Sequence, residues 1–367
     1  MTDATRTEAQ AADPQAAPAA KEGTKKGINL ALQGGGAHGA FTWGVLDYIL
    51  EDGRLAIEGI SGASAGAINA VMVADGLARG GNDVARTRLA DFWRAASIDG
   101  DLPNIQRKLL ERLFTFVPLE GSPVAAWVEA MSHYFSPYDL NPLNINPLKD
   151  VIERFVDFEA VQAFDKLQLF ISATNVRTGR LKIFPREKIT ADAVMASACL
   201  PLLFKAVMID GVPYWDGGYL ANPPIFPLFH ATHTEDVLIV QINPLERTEV
   251  PTSSRDIVNR VNEISFNSSL ASEFRAVEFV ARLIDYGRLQ RGTGPGQYRR
   301  INAHRIVLGE NQKSYSAETK LSTDYDFFCM LQAAGRRAAR RFLDEHFDDI
   351  GQRSTFDLRA EAQAEWA

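Results

Sequence analysis

Two glycine-rich turns near the start of the chain constrain its fold more than any other feature. "LALQGGGAHGAF" (30–41) follows an apolar run at 28–32 and opens a helical pattern carried by Phe41, Val45, Tyr48 and Ile49. "GISGASAGAIN" (59–69) ends a second short apolar run and opens a helix rich in small residues. Gly53 closes the first helix, so strand, helix, strand and helix follow one another without long loops. Parallel strands need a crossover, and a helix is the usual one. The expected fold is therefore α/β, with a mainly parallel central sheet.

Further along, "LQLFISATNV", "RLKIF" and "DVLIVQIN" read as strands, and "AVMIDGVPYWDGGYL" as a hairpin-like pair ending in a tight turn. "TADAVMASACLPLLF" reads as a helix ending near Pro201. A helical insertion is expected at about 90–164. It includes "IQRKLLERLFTFVPL", "PVAAWVEAMSHYF", the Pro/Asn-rich loop "SPYDLNPLNINPLKD" and the helical "DVIERFVDFEAVQAF". After Pro244 the pattern is mostly helical, apart from the late strand "RINAHRIVL". The last helix carries Phe327, Leu331, Ala334, Ala338 and Phe342 on one face, opposite its arginines. The organisation expected is a disordered tail at 1–26, a main α/β domain at 27–243, a helical extension at 244–350 and a tail at 351–367.

Composition removes several function classes. The net charge is -7, which disfavours nucleic acid as a partner. The two cysteines build neither a disulfide framework nor a zinc site, and no calcium pattern stands out, so neither metal nor cofactor is expected. No apolar segment is long enough to span a bilayer, and the Ala/Pro-rich start has no signal-peptide core. A cytoplasmic protein is expected. Ile105, Leu109, Leu113, Phe114 and Phe116 with Arg107, Lys108 and Arg112 suit either peripheral contact with the inner membrane face or ordinary helix packing.

Gly34, Gly36 and Gly39 spell G-x-G-x-x-G, the dinucleotide fingerprint. The rest of that fingerprint is missing. Glu58 lies inside the second strand rather than at its end, and no Gly-Lys-Ser/Thr closes the run. Gly62, Ser64 and Gly66 spell G-x-S-x-G between a strand and a helix, the pattern of a nucleophile elbow. A turn that sharp excludes bulky neighbours, and Ala63, Ala65 and Ala67 are all small. An incidental serine in a small-residue turn is the alternative; the catalytic reading is preferred. The N–H groups of Gly34, Gly35, Gly36 and Ala65 are then candidates for an oxyanion hole. The base stays open: Asp216, with Gly217 and Gly218 behind it, alone or in a triad with His230, His233 or His304.

With "GGGAHG" (34–39), "GASAG" (62–66) and "DGG" (216–218) in that order, the chain resembles the patatin-like phospholipase family of lipid acyl hydrolases. "ASACLPLLF" (196–204) is similar to the segment family members carry before the aspartate, and the resemblance covers about 26–243. It implies a patatin-like three-layer sandwich and a Ser64–Asp216 dyad, with Ser64 as nucleophile and Asp216 as general base. It also implies oxyanion donors at Gly34, Gly35, Gly36 and Ala65, with Gly39, Gly62, Gly66, Gly217 and Gly218 as structural glycines. The substrate implied is a lipid ester, with storage polyester as an alternative. A catalytically idle lipid- or partner-binding protein on the same fold is the other class. Many members carry Arg or Lys where His38 stands, so His38 is assigned a structural role and a fixed positive charge is not expected there.

Overall fold

The computed structural model describes residues 25–97, 136–141, 144, 146–201, 203–247, 250–294, 296–309, 319–320 and 322–362. The first two expected helices of the insertion and the N-terminal tail before residue 25 lie outside the described residues.

The turns behave as their residues dictate. β1 (Lys26–Leu32) leads through the first glycine turn into α1 (Gly39–Asp52). That helix stops at Gly53, whose left-handed backbone (φ 69°) returns its N–H to Ile49 O. β2 (Leu55–Gly62) leads through Ser64 into α2 (Ala65–Gly80), and α3 (Asn82–Ala95) follows. After α4 (Pro137–Leu140) come α5 (Pro147–Phe155) and α6 (Phe158–Ala163). The single helix read there is thus two. Val156 is extended, and the Asp157 carboxylate accepts the Ala160 N–H at 3.1 Å to start the second.

β3 (Gln168–Asn175), β4 (Arg180–Pro185), α7 (Ala191–Ser197), β5 (Val207–Ile209), β6 (Val212–Asp216), α8 (Phe226–Ala231) and β7 (Asp236–Gln241) follow. α7 ends at Ser197, earlier than the expected Pro201. The residue before a proline disfavours helix, and the Cys199 carbonyl is needed to accept the Asp216 N–H at 2.8 Å. Then come α9 (Ser254–Asp285), a short β8–β9 pair (Gln290–Arg291 and Gln297–Tyr298), β10 (Asn302–Val307), α10 (Tyr325–His346) and α11 (Leu358–Ala362).

The main sheet runs β10-β7-β1-β2-β3-β6-β5, with β4 on the other edge of β3. The pairs from β10 to β3 are parallel, and the pairs made with β4, β5 and β6 are antiparallel. Strand alternation divides the core in two. Ile28, Leu30 and Leu32 of β1 and Leu238 and Val240 of β7 face one side, with α1, α2, α3 and α10. Ala31, Val237 and Ile239 face the other, with Leu228 of α8 and Leu270 and Phe274 of α9. The result is the expected three-layer sandwich.

Two expectations about the C-terminal part are corrected. Part of the tail expected at 351–367 is packed: Phe356 meets Phe274 edge-on and Leu358 is buried in the second core. The arginines of α10 are not all on an outer face, because Arg336 pairs with Asp47 and Glu51 of α1. The buried stripe runs through Phe328, Leu331, Gly335, Ala338, Ala339, Phe342 and Leu343, while Phe327 and Ala334 are half-buried. Among the described residues no helix is long and apolar enough to cross a membrane.

Candidate active site

Register brings the second and third motifs together. Gly62, the last residue of β2, pairs with Ile171 in the middle of β3. β3 therefore outruns β2, and β6 pairs antiparallel with the overhang, Tyr214 opposite Asn175 and Asp216 opposite Ala173. β6 thus descends toward the end of β2 and stops at Asp216. Ser64 leaves β2 at the same place, and both residues line one cavity of about 180 Å³.

Ser64 has φ 52° and ψ −123°, a conformation L-residues rarely adopt. Such a residue costs about 1–3 kcal/mol and needs its surroundings to hold it. Its N–H donates to Ser197 Oγ at 2.9 Å, and Ser197 is fully buried. The flanking glycines are required by contact. A Cβ on Gly62 would stand 2.6 Å from the Gly66 carbonyl carbon, and one on Gly66 would collide with Leu32 O. A Cβ on Gly39 would meet Ala65 Cβ at 2.7 Å, and one on Gly34 would meet Ser64 Cβ at 2.6 Å.

Asp216 is fully buried. Its Oδ1 accepts the Gly218 N–H at 2.7 Å, and Oδ2 has no hydrogen-bond partner among the described residues. Burial pushes the carboxyl up to about 7, against the opposing pull of the Gly218 N–H and the Ser64 hydroxyl. Gly217 lies against Ser172, where a Cβ would strike the Ser172 carbonyl.

The first glycine turn lies on the same cavity, but one of its N–H groups is committed. The Gly34 N–H donates to Asn222 Oδ1 at 2.6 Å, and Gly34 O accepts from Asn243 Nδ2 at 2.7 Å. Gly34 is therefore removed from the set of oxyanion donors. The N–H groups of Gly35, Gly36 and Ala65 have no acceptor among the described residues, and all three residues line the cavity. Gly36 needs its glycine, with φ 59° and Lys320 O where a Cβ would be.

Behind the turn is a buried polar network that the motifs do not announce. Gln33 Oε1 accepts from the N–H groups of Ile242 and Asn243 at 2.9 and 3.0 Å. Gln33 Nε2 donates to Asn222 O and to Asn267 Oδ1. Asn222 and Asn243 each precede a proline, a repeated Asn-Pro that is their one sequence signal. Ser197 and Lys320 have none.

The histidines are elsewhere. His304 is fully buried at the opposite end of the sheet, its Nε2 2.9 Å from the Oδ1 of Asp236 at the start of β7. His230 and His233 are exposed before that same strand start. His38 is buried, with Nε2 2.7 Å from Thr319 Oγ1. Burial first, then the charges of Lys320 and Arg247, push it down to about 3, so it is neutral.

Most of the cavity wall is apolar, including Phe92, Trp93, Leu203 and Phe328. A strained serine and a buried carboxyl thus share an apolar chamber with three N–H groups on its wall. That arrangement suits an acyl chain and a carbonyl that becomes an oxyanion.

Comparison with known proteins was made on this basis. No curated protein matches the chain. Among solved structures, VipD from Legionella pneumophila is similar at 15% identity and a TM-score of 0.35, over 85% of this chain and 67% of that one. The type III effector protein ExoU follows at 15% and 0.31, over 88% and 53%. The ExoU–SpcU complex of the Pseudomonas aeruginosa type III secretion system follows at 20% and 0.30, over 67% and 51%. The chain thus spans about half to two thirds of the length of those chains. The model of the patatin-like phospholipase family matches residues 30–229. With more than half of its length matched, the chain belongs to the patatin-like phospholipase family, a membership that supports lipid hydrolysis.

Proposed function

We propose that the protein is a serine acyl hydrolase that cleaves lipid esters through an acyl-enzyme on Ser64, with Asp216 as general base. The observation that carries this reading is the burial of Asp216 in the cavity that Ser64 lines, where the Ser64 hydroxyl acts on its carboxyl group. An ordinary aspartate is too weak a base for a serine hydroxyl. One pushed up to about 7 is matched to neutral pH, where it is half ionised and still a base.

In the first half-reaction the Ser64 hydroxyl passes its proton to Asp216 as Oγ bonds to the ester carbonyl carbon. The oxyanion is held by the N–H groups of Gly35, Gly36 and Ala65, the last reinforced by the α2 dipole. The carbonyl re-forms, the C–O bond breaks, and the proton on Asp216 goes to the departing alkoxide. In the second half-reaction Asp216 takes a proton from water, hydroxide attacks the acyl carbon, and the proton returns to Ser64. The carboxylic acid leaves.

No histidine lines the cavity among the described residues, which favours the dyad over a triad. Ser64→Ala and Asp216→Ala are each expected to lower hydrolysis of p-nitrophenyl butyrate by about a thousandfold or more. His230→Ala, His233→Ala and His304→Asn should each retain it per folded molecule. A fluorophosphonate probe should label Ser64 in the wild type. Folded protein that takes no label would leave a lipid-binding role without chemistry. Comparing a phospholipid with a short hydroxyalkanoate oligomer as substrate separates lipid from storage polyester.

A further inference from the structure

His38 of the first glycine turn is buried and neutral, yet a lysine lines the cavity. Lys320 reaches it from the segment before α10. Its backbone carbonyl lies against Gly36, and its Nζ donates to Asn243 Oδ1 at 2.8 Å. Asn243 Oδ1 is in turn 3.5 Å from where a Gly35 Cβ would stand. The ammonium is thus joined to the glycine turn through Asn243, whose Nδ2 donates to Gly34 O. Lys320 and Asp216 are the only charged residues lining the cavity among the described residues.

Lys320 shares its carboxylate partner. Glu263 is buried and lies 3.7 Å from Lys320 Nζ, but it already takes Arg247 through both oxygens at 2.7 and 3.2 Å, and Arg260 lies at 3.4 Å. Three cations therefore share one carboxylate among these residues. Arg247 and Arg260 hold Glu263 at closer range, whereas Lys320 is the one of the three that lines the cavity. A lysine so largely withdrawn from water gains by meeting a second anion.

We propose that Lys320 is a specificity-determining residue that binds a phosphate on the lipid ester, a few bonds from the acyl group being cleaved. The inference rests on the reading of Ser64 and Asp216 as the reaction centre. It adds that Lys320, rather than the glycine motif, supplies the positive charge that selects the substrate. A carbonyl oxygen at the Gly35 and Gly36 N–H groups leaves the neighbouring phosphate of a glycerophospholipid on the Lys320 side. A neutral ester would leave that cation with Asn243 and the shared Glu263 alone.

The test is binding to the full chain carrying Ser64→Ala, by titration calorimetry with octyl phosphate, octyl glucoside and inorganic phosphate. Octyl phosphate is expected to bind about tenfold or more tightly than octyl glucoside. Lys320→Met should shrink that gap to about threefold or less, and Lys320→Arg should keep it. Lys320→Gln is the second neutral variant if Lys320→Met does not fold. Equal affinity for the two amphiphiles with Lys320 intact overturns the proposal, a comparison that needs no change at Lys320. So does a gap that survives both neutral variants. Inorganic phosphate binding as tightly as octyl phosphate would make this a free-phosphate site and overturn it too. Because no turnover is read, a wild type that hydrolyses no ester would defeat the proposed reaction while the binding result still decides on Lys320.

Discussion

Asp216 couples activity and stability through one carboxyl group. Its proton affinity is raised in the folded protein to about 7, and burial is the main cause. As the proposed base, it would work only when ionised. kcat/KM for p-nitrophenyl butyrate is expected to fall about tenfold per pH unit below 7 and to level off above it. Stability moves the other way. Below the usual aspartate pKa of about 3.9 the carboxyl is neutral in both states and costs nothing. Between about 3.9 and 7 the unfolded chain ionises while the folded one does not, so the folded state loses ground as pH rises. Above 7 the loss is complete, at most about 4 kcal/mol. Asp216→Asn should therefore lack activity yet melt a few degrees higher than wild type at pH 8, with the difference vanishing at pH 4. A lower melting point at pH 8 would show that the carboxylate is not strained by burial. Asn222 tests the neighbouring loop. Asn222→Ala leaves the Gly34 N–H buried without its acceptor, which costs about 1–3 kcal/mol and loosens the Gly35–Gly36 pair. Thermal unfolding and ester turnover should both fall. Ser64, Asp216 and their glycines were legible in the sequence because each occupies a turn whose backbone only small residues allow. Ser197, Asn222, Asn243 and Lys320 were not, since a buried serine, asparagine or lysine in a loop reads like any exposed one.

Among the elements, α1 and α10 pack large side chains into one core and bring their backbones together at two glycines. A Cβ on Gly44 would strike the Gln332 carbonyl, and one on Gly335 would strike the Phe41 carbonyl. The backbones approach closely there, and Arg336 extends the contact to Asp47 and Glu51. Alanine at an exposed helical site stabilises by about 1 kcal/mol over glycine. Gly335→Ala should do the opposite and lower stability by roughly 1–3 kcal/mol in chemical denaturation, because backbone cannot move aside as a side chain can. Helical periodicity identified α10 but placed its buried face through Phe327 and Ala334 rather than through Gly335. Hydrophobicity weighs a glycine lightly even where it is the closest contact. The strand pattern was legible for β1, β2, β3 and β7, whose runs are buried on both faces. The short β8 and β9, two residues each, carry no such signal.

Across the whole molecule, the part after residue 243 completes the sheet, the α1 layer and the cavity. β10 adds an edge to the main sheet beside β7, α10 covers α1, and Phe266, Lys320 and Phe328 line the cavity of Ser64. Ending the chain at residue 243 would expose the α1 face and remove those walls. Such a truncation is expected to be insoluble or to show no cooperative melting and no fluorophosphonate labelling at Ser64, whereas a labelled, folded fragment would show the extension to be dispensable. The sequence by itself determined the α/β class, the two turns with their glycines, the elbow serine and the aspartate turn. Each of these is a backbone requirement met by adjacent residues. Only the tertiary structure decided that β6 returns along the β3 overhang to bring Asp216 to the cavity of Ser64, that Asn222 takes up the Gly34 N–H, and that Lys320 lines the same cavity. Those outcomes depend on strand register and helix approach between distant segments, and no local pattern encodes either.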